Sequence, residues 1–301
     1  MAGPILMKFF LCYLAVIGAV FSAPEETVKK IGEHFVFEQA GRHVTVWYFL
    51  PAEATADGPV VFVMHGVKRN AEDYLRDWAP SAEQRKFLLV VPEFSDAEFP
   101  GDEGYNYGNT VTPAGDAVAR DQWSFSMIEP IFDAVRARAG NRRQDYLIYG
   151  HSAGAQFVQR FVFFVPAARM ARAVAANAGW YMLADPAIEF PYGLKGTPVS
   201  ADDLRQALGR PLTILLGTAD IDPKHRMLRH TPEAEAQGPH RFARGHYFFD
   251  HAKAAAASQH AAFGWSLATA PGVAHSDRGM TPYAIDCLFP KSNSAKTPRT
   301  P

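Results

Sequence analysis

Ser152 stands in the pentapeptide Gly150-His151-Ser152-Ala153-Gly154, a G-x-S-x-G box. An apolar run, Tyr146 to Tyr149, leads into it, and a helix-like stretch, Ala153 to Val165, leads out. A serine between two glycines at such a junction suits a sharp strand-to-helix turn. The glycines let strand and helix approach closely, and the hydroxyl is left exposed at the tip. A serine hydroxyl is a poor nucleophile at its free pKa, so the chain must also supply a base. It must further supply a carboxylate to orient that base, and donors for the oxyanion that forms when a carbonyl is attacked. The chemistry in question is acyl transfer.

The sequence holds 11 histidines, and position chooses among them. His34 and His43 fall in an N-terminal hairpin. His65 and His151 belong to a strand-end loop and to the serine box. His225, His230, His240, His246, His251 and His260 lie in polar loops or helix-like stretches. Only His275, in Gly272-Val273-Ala274-His275, sits in a turn just past the last strand-like run. There it is placed to act as general base toward Ser152 and then as general acid toward the leaving group. Asp220, in Gly217-Thr218-Ala219-Asp220, ends the preceding strand-like run and is the expected orienter, with Asp222 as its competitor. The oxyanion donors are expected to be the backbone N–H groups of Ala153 and of Val67, which follows His65-Gly66. Lys68 is the alternative to Val67.

These residues need a frame that brings strand ends together. Val60 to Met64, Phe87 to Val91, Ala171 to Ala176 and Pro211 to Leu216 are continuous apolar runs, as expected of strands buried on both faces of a parallel sheet. Phe263 to Ala270 reads as the last strand. His34 to Gln39 and His43 to Leu50 read as an antiparallel hairpin about Gly41-Arg42. Helices are expected after Asn70, which is placed to cap, over Gln122 to Ala139 and over His246 to Ala262. The stretch from Tyr181 to Arg210 shows little periodicity and is too short for a separate lid domain. Strands alternating with helices imply an α/β fold, a mostly parallel central sheet with helices on both faces. Ligands of such sheets sit at the carboxyl ends of the strands, where the residues named above fall.

The order Ser152, Asp220, His275 is that of the α/β-hydrolases. From the His65-Gly66 loop to the His275 turn, the chain resembles the secreted esterases grouped with poly(3-hydroxybutyrate) depolymerases and feruloyl esterases. The resemblance implies an α/β-hydrolase fold and hydrolysis of carboxylic esters through an acyl-enzyme. Substrates would be polyhydroxyalkanoate oligomers or polymer, or short-chain or phenolic esters, and no cofactor or metal would be needed. His65, Trp180 and Tyr105 are expected at the substrate cleft, with Tyr107, Tyr181 and Trp123 as further aromatic candidates. A serine peptidase of the same fold and a non-catalytic binding protein on the same scaffold are the alternatives.

Composition bounds the rest. With 301 residues, 48% of them hydrophobic, the chain can bury a large core. Lys and Arg number 30 against 31 Asp and Glu, which is not the footprint of a nucleic-acid binder. Lys8, the apolar run Phe9 to Phe21 and then Ser22-Ala23 have the layout of a secretory signal peptide over residues 1–23. Export to the periplasm or medium follows as the expectation, an uncleaved anchor being the alternative. Residues 24–290 are then expected to form one hydrolase domain and 291–301 a disordered tail. With Cys12 in the signal segment, Cys287 would be alone in the mature chain. The core, not a disulfide, must then hold the fold.

Overall fold

The computed structural model describes residues 32–290, together with Met1. The expected signal segment and the polar tail lie outside these residues.

Eight strands form one sheet: β1 (Glu33–Gln39), β2 (Arg42–Phe49), β3 (Val60–Met64), β4 (Leu88–Glu93), β5 (Tyr146–His151), β6 (Met170–Ala176), β7 (Leu212–Gly217) and β8 (Ser266–Ala270). Their order in space is β1-β2-β4-β3-β5-β6-β7-β8. β1 pairs antiparallel with β2, and β2 with β4, while all later pairs are parallel. The hairpin turns at Ala40 and Gly41, both with positive φ, which matches the twist of a two-residue loop.

The helices are α1 (Ala71–Arg85), α2 (Gly101–Gly104), α3 (Ile128–Ala139), α4 (Ala153–Phe164), α5 (Ala201–Gly209), α6 (Pro232–Glu235), α7 (Arg241–Ser258) and α8 (Asp277–Leu288). They cover both faces of the sheet, and alternation along the central strands shows why these are largely apolar on both sides. Phe62, Val90, Ile148, Ala175 and Ile214 point to one core, shared with α3, α4, α5 and α7. Val63, Leu89, Tyr149, Val174 and Leu215 point to the other, shared with α1 and α8. Every residue of α4 is buried, which explains its apolar character on all sides.

Four sequence expectations are corrected. The helix expected over Gln122 to Ala139 begins only at Ile128. Before it the chain makes two 3-10 turns around Trp123, which is extended. There the Trp123 indole donates to Val118 O and the Ser124 N–H to Gly108 O, so local partners take the groups that a helix would use. Tyr181 to Arg210 does contain a helix, α5, started by a capping box between Ser200 and Asp203. Asn70 precedes α1 but makes no side-chain cap, because its amide donates to Asp73 Oδ2 instead. α7 starts at Arg241, earlier than expected, with the His240 side chain accepting the Ala243 N–H.

Candidate active site

The serine box is the β5–α4 junction. Ser152 has φ 58° and ψ −114°, outside the regions a non-glycine residue favours, so the turn is strained. A Cβ on Gly150 would lie 2.1 Å from Gly154 O, and one on Gly154 would lie 2.1 Å from Met64 O. Both glycines are therefore required by close backbone approach, one within the turn and one against β3. The Ser152 N–H is tied to Ala176 O at 3.0 Å, which fixes the turn to β6.

Asp220 and His275 reach Ser152 from the ends of β7 and β8. His275 Nδ1 lies 2.8 Å from Asp220 Oδ2, and His275 Nε2 lies 3.0 Å from Ser152 Oγ. An ionised carboxylate only accepts hydrogen bonds, so Nδ1 carries the proton and Nε2 turns its lone pair to the serine. Asp220 is 3% exposed and also meets the buried Arg241 Nη1 at 3.4 Å. Asp222 is exposed, and its carboxylate accepts the Lys224 N–H. Asn177, buried at the end of β6, accepts the Gly217 N–H at 2.8 Å and donates to Ala274 O at 3.3 Å. One amide thus holds together the turns that carry Asp220 and His275.

Val67 and Ala153 both border the serine. Ala153 opens α4, so its N–H is among those a helix leaves without an internal partner. Val67 is 43% exposed and lines both cavities that border Ser152. The loop before it is held from behind. His65 Nε2 accepts the Phe94 N–H at 3.1 Å, which leaves Nδ1 to donate to Gly66 O at 3.0 Å. Burial pushes the His65 imidazole down to about 3, so it is neutral and serves as a brace.

Two cavities meet at Ser152. One, of about 350 Å³, is bounded by His275, His225, Tyr74 and Asp277. The other, of about 270 Å³, is bounded by Trp180, Gln156, Asn106 and Arg229. Arg226 and Met227 border both. Trp180 is the one expected aromatic that lines either cavity. It sits against two guanidiniums, Arg160 at 4.5 Å and Arg229 at 4.9 Å from the ring centroid. The other expected cleft residues are placed differently. His65 and Tyr105 have no exposed surface; Tyr105 stacks on His65 and donates to His65 O. Tyr181 stacks on Phe248 in the core, Trp123 packs edge-on to Phe164, and the Tyr107 hydroxyl accepts from Arg229. Each has an indole, phenol or ring face that the core satisfies, which strand-end position does not reveal. Arg160, Arg226, Arg229 and Arg241 carry no motif, and sequence reasoning misses them.

Asp277 starts α8 at the edge of the first cavity. The Tyr149 hydroxyl donates to its Oδ1 at 2.9 Å, and its Oδ2 is buried without a partner. Burial pushes this carboxyl up to about 7, with the Tyr149 hydrogen bond opposing and Asp77 adding. Its unfolded value is about 3.9. Between those values the folded chain holds a proton that the unfolded chain has released. The group's contribution to stability is therefore greatest at acid pH and is lost as pH rises toward 7. Asp277→Asn should remove this loss. Relative to wild type, the variant should gain about 1–3 kcal/mol between pH 5 and pH 8, a range discounted for partial solvent screening. Urea unfolding at the two pH values checks this, and an identical difference at both would contradict it.

No protein-family model matches the chain, and no curated protein matches it. Solved structures do. Poly(aspartic acid) hydrolase-1 from Sphingomonas sp. KT-1 is 46% identical, aligned over 86% of this chain and 98% of its own, with a TM-score of 0.84. LpqC, a poly(3-hydroxybutyrate) depolymerase from Bordetella parapertussis, is 37% identical over 86% of this chain and 90% of its own, with a TM-score of 0.82. The S-formylglutathione hydrolase FrmB from Staphylococcus aureus, 15% identical over 85% of this chain and 96% of its own, shares the fold at a TM-score of 0.55.

Proposed function

Because the chain belongs to the family of α/β-hydrolases that holds poly(aspartic acid) hydrolase-1 and the depolymerase LpqC, we propose that this hydrolase is a serine esterase acting through an acyl-enzyme. The observation that carries the proposal is the relay from Asp220 through His275 to Ser152, at 2.8 and 3.0 Å. Ser152 Oγ attacks the ester carbonyl while His275 Nε2 takes its proton. The oxyanion is held by the N–H groups of Val67 and Ala153. The bond to the leaving oxygen breaks as His275 returns the proton to it. Water then adds to the acyl-enzyme with His275 again as base, and the acid departs from a restored Ser152. Asp220 fixes the imidazole tautomer and does not itself take the proton.

The cavity bounded by His275 receives the leaving unit, since the proton must be delivered there. The acyl unit then lies in the cavity bounded by Trp180. Space on both sides of Ser152 suits a chain that continues past the scissile bond, such as a polyhydroxyalkanoate oligomer, as well as short or phenolic esters. Amide hydrolysis is a second reading, favoured by the 46% identity to a poly(aspartic acid) hydrolase. Arg226 and Arg229 beside the serine would meet the carboxylates of such a chain. Hydroxybutyrate oligomers, p-nitrophenyl butyrate, methyl ferulate, poly(aspartic acid) and a long-chain triglyceride, assayed side by side, test these readings. Ester turnover should exceed amide turnover at matched chain length. A preference for the polyamide would move the protein to the second reading, and a preference for the triglyceride would contradict a site without a lid domain.

Export is part of the proposal, supported by Lys8, the run Phe9 to Phe21 and Ser22-Ala23. No helix among the described residues is long and apolar enough to cross a membrane. Intact mass of the protein recovered from its host should place the mature start at Pro24. Retention of residues 1–23 would favour the anchor instead.

A further inference from the structure

His225 stands beside the relay without belonging to it. Its ring centroid lies 5.5 Å from that of His275, at 64°, and it borders the leaving-unit cavity. Two donors converge on its Nδ1: Arg241 Nη2 at 3.2 Å and the Met227 backbone N–H at 3.2 Å. A guanidinium and a backbone amide can only donate. Nδ1 must therefore keep its lone pair, and the one proton of the neutral ring sits on Nε2. Burial, Arg241 and His275 hold His225 below the ordinary histidine value, with Asp220 and Asp222 opposing. Arg241 is fixed in turn by Asp220, in a pair whose side chains are 2% and 3% exposed. The Nδ1 edge is thus fully engaged with protein, and the Nε2–H edge is the one left to the cavity.

We infer that His225 is a specificity-determining residue, whose Nε2–H donates a hydrogen bond to an oxygen of the leaving unit, a carbonyl or a carboxylate. It would favour esters in which the departing alcohol is itself a hydroxyacid over esters of plain alcohols or phenols. A donor whose ring is held by Arg241 and the Met227 amide orients such an oxygen without having to be ordered on binding. This contact rests on the serine-esterase reading above, which places the leaving unit in that cavity.

Two substitutions divide the functions of the ring. In His225→Asn the side chain is too short to reach the cavity, but its carbonyl can replace Nδ1 as acceptor. In His225→Gln the amide reaches the Nε2 position and can donate there. The experiment compares wild type and these two variants on two esters with equal acyl groups. One is the dimer of 3-hydroxybutyrate, whose leaving unit carries a carboxylate. The other is phenyl 3-hydroxybutyrate, whose leaving phenol carries no second acceptor. For His225→Asn, kcat/KM should fall about 10- to 100-fold further on the dimer than on the phenyl ester. For His225→Gln most of that selective loss should be restored. Equal losses on both esters, or a selective loss in His225→Gln but not in His225→Asn, would show that the ring acts only by holding Arg241 and would overturn the inference. If wild type hydrolyses neither ester, or if Ser152→Ala hydrolyses them as well as wild type, the esterase reading itself fails and this contact with it.

Discussion

Ser152→Ala is expected to lower kcat by about 10⁵- to 10⁶-fold on any ester that the wild-type protein hydrolyses. The size follows from the chemistry. Among the described residues no other hydroxyl or thiol is placed against His275 Nε2, the atom proposed to take the nucleophile's proton. The fold should be unaffected. The Ser152 side chain caps no helix, and the alanine keeps the Cβ that the turn already accommodates. Thermal unfolding of the variant should therefore match wild type within a few degrees. A fluorophosphonate should label folded wild-type protein at Ser152 and leave the variant unlabelled, as read by peptide mass spectrometry. Labelling at a different residue, or turnover in the variant within a hundredfold of wild type, would remove Ser152 from the mechanism. No labelling of wild type would favour the non-catalytic alternative.

Asp220→Asn should cost about 10³- to 10⁴-fold in kcat, because an amide can donate where a carboxylate only accepts. With an N–H facing it, His275 Nδ1 would keep its lone pair, and the ring proton would move to Nε2, where it blocks proton transfer from Ser152. The substitution also strips Arg241 of its carboxylate in a site where both side chains are almost fully buried. An uncompensated buried charge typically costs about 3–5 kcal/mol, so unfolding should shift in the same variant. Asp222→Asn serves as the comparison. Its carboxylate is exposed and holds only the Lys224 N–H, so its kcat should stay within about twofold of wild type. Kinetics and denaturant unfolding of the two variants check both statements. A larger loss in Asp222→Asn than in Asp220→Asn would reverse their roles.

Asp220 and Asp222 illustrate how far local pattern reaches. Both follow the same apolar run and stand two residues apart, and spacing alone favours one only slightly. The deciding contact is made by His275, 55 residues on, and by Arg241 from the start of α7. Tyr105 illustrates the opposite failure. It lies in a loop rich in glycine and aromatics, where a cleft residue would be unremarkable. In the fold its ring stacks on His65 and its hydroxyl donates to His65 O, so it braces the His65-Gly66 loop. Trp180 keeps its expected place at the cavity, yet the two arginines that pack against it come from α4 and from the loop before α6.

Near neighbours along the chain account for what could be read before any fold was known. Continuous apolar runs of this length suit strands buried on both faces, so the parallel sheet was legible. The glycines of the serine box were legible as a tight junction, because any side chain there would strike backbone. Since ligands gather at the carboxyl ends of parallel strands, Ser152, Asp220 and His275 could be picked out by position and order. Everything that depends on groups far apart in sequence meeting in three dimensions had to wait for the assembled molecule. That includes which carboxylate faces His275, which aromatics the core consumes and where the arginines gather. It also includes the tautomer of His225, since the two donors that fix it, Arg241 and the Met227 amide, converge only in the fold. Burial and hydrogen-bond partnership are properties of the assembled packing, and no local spacing encodes them.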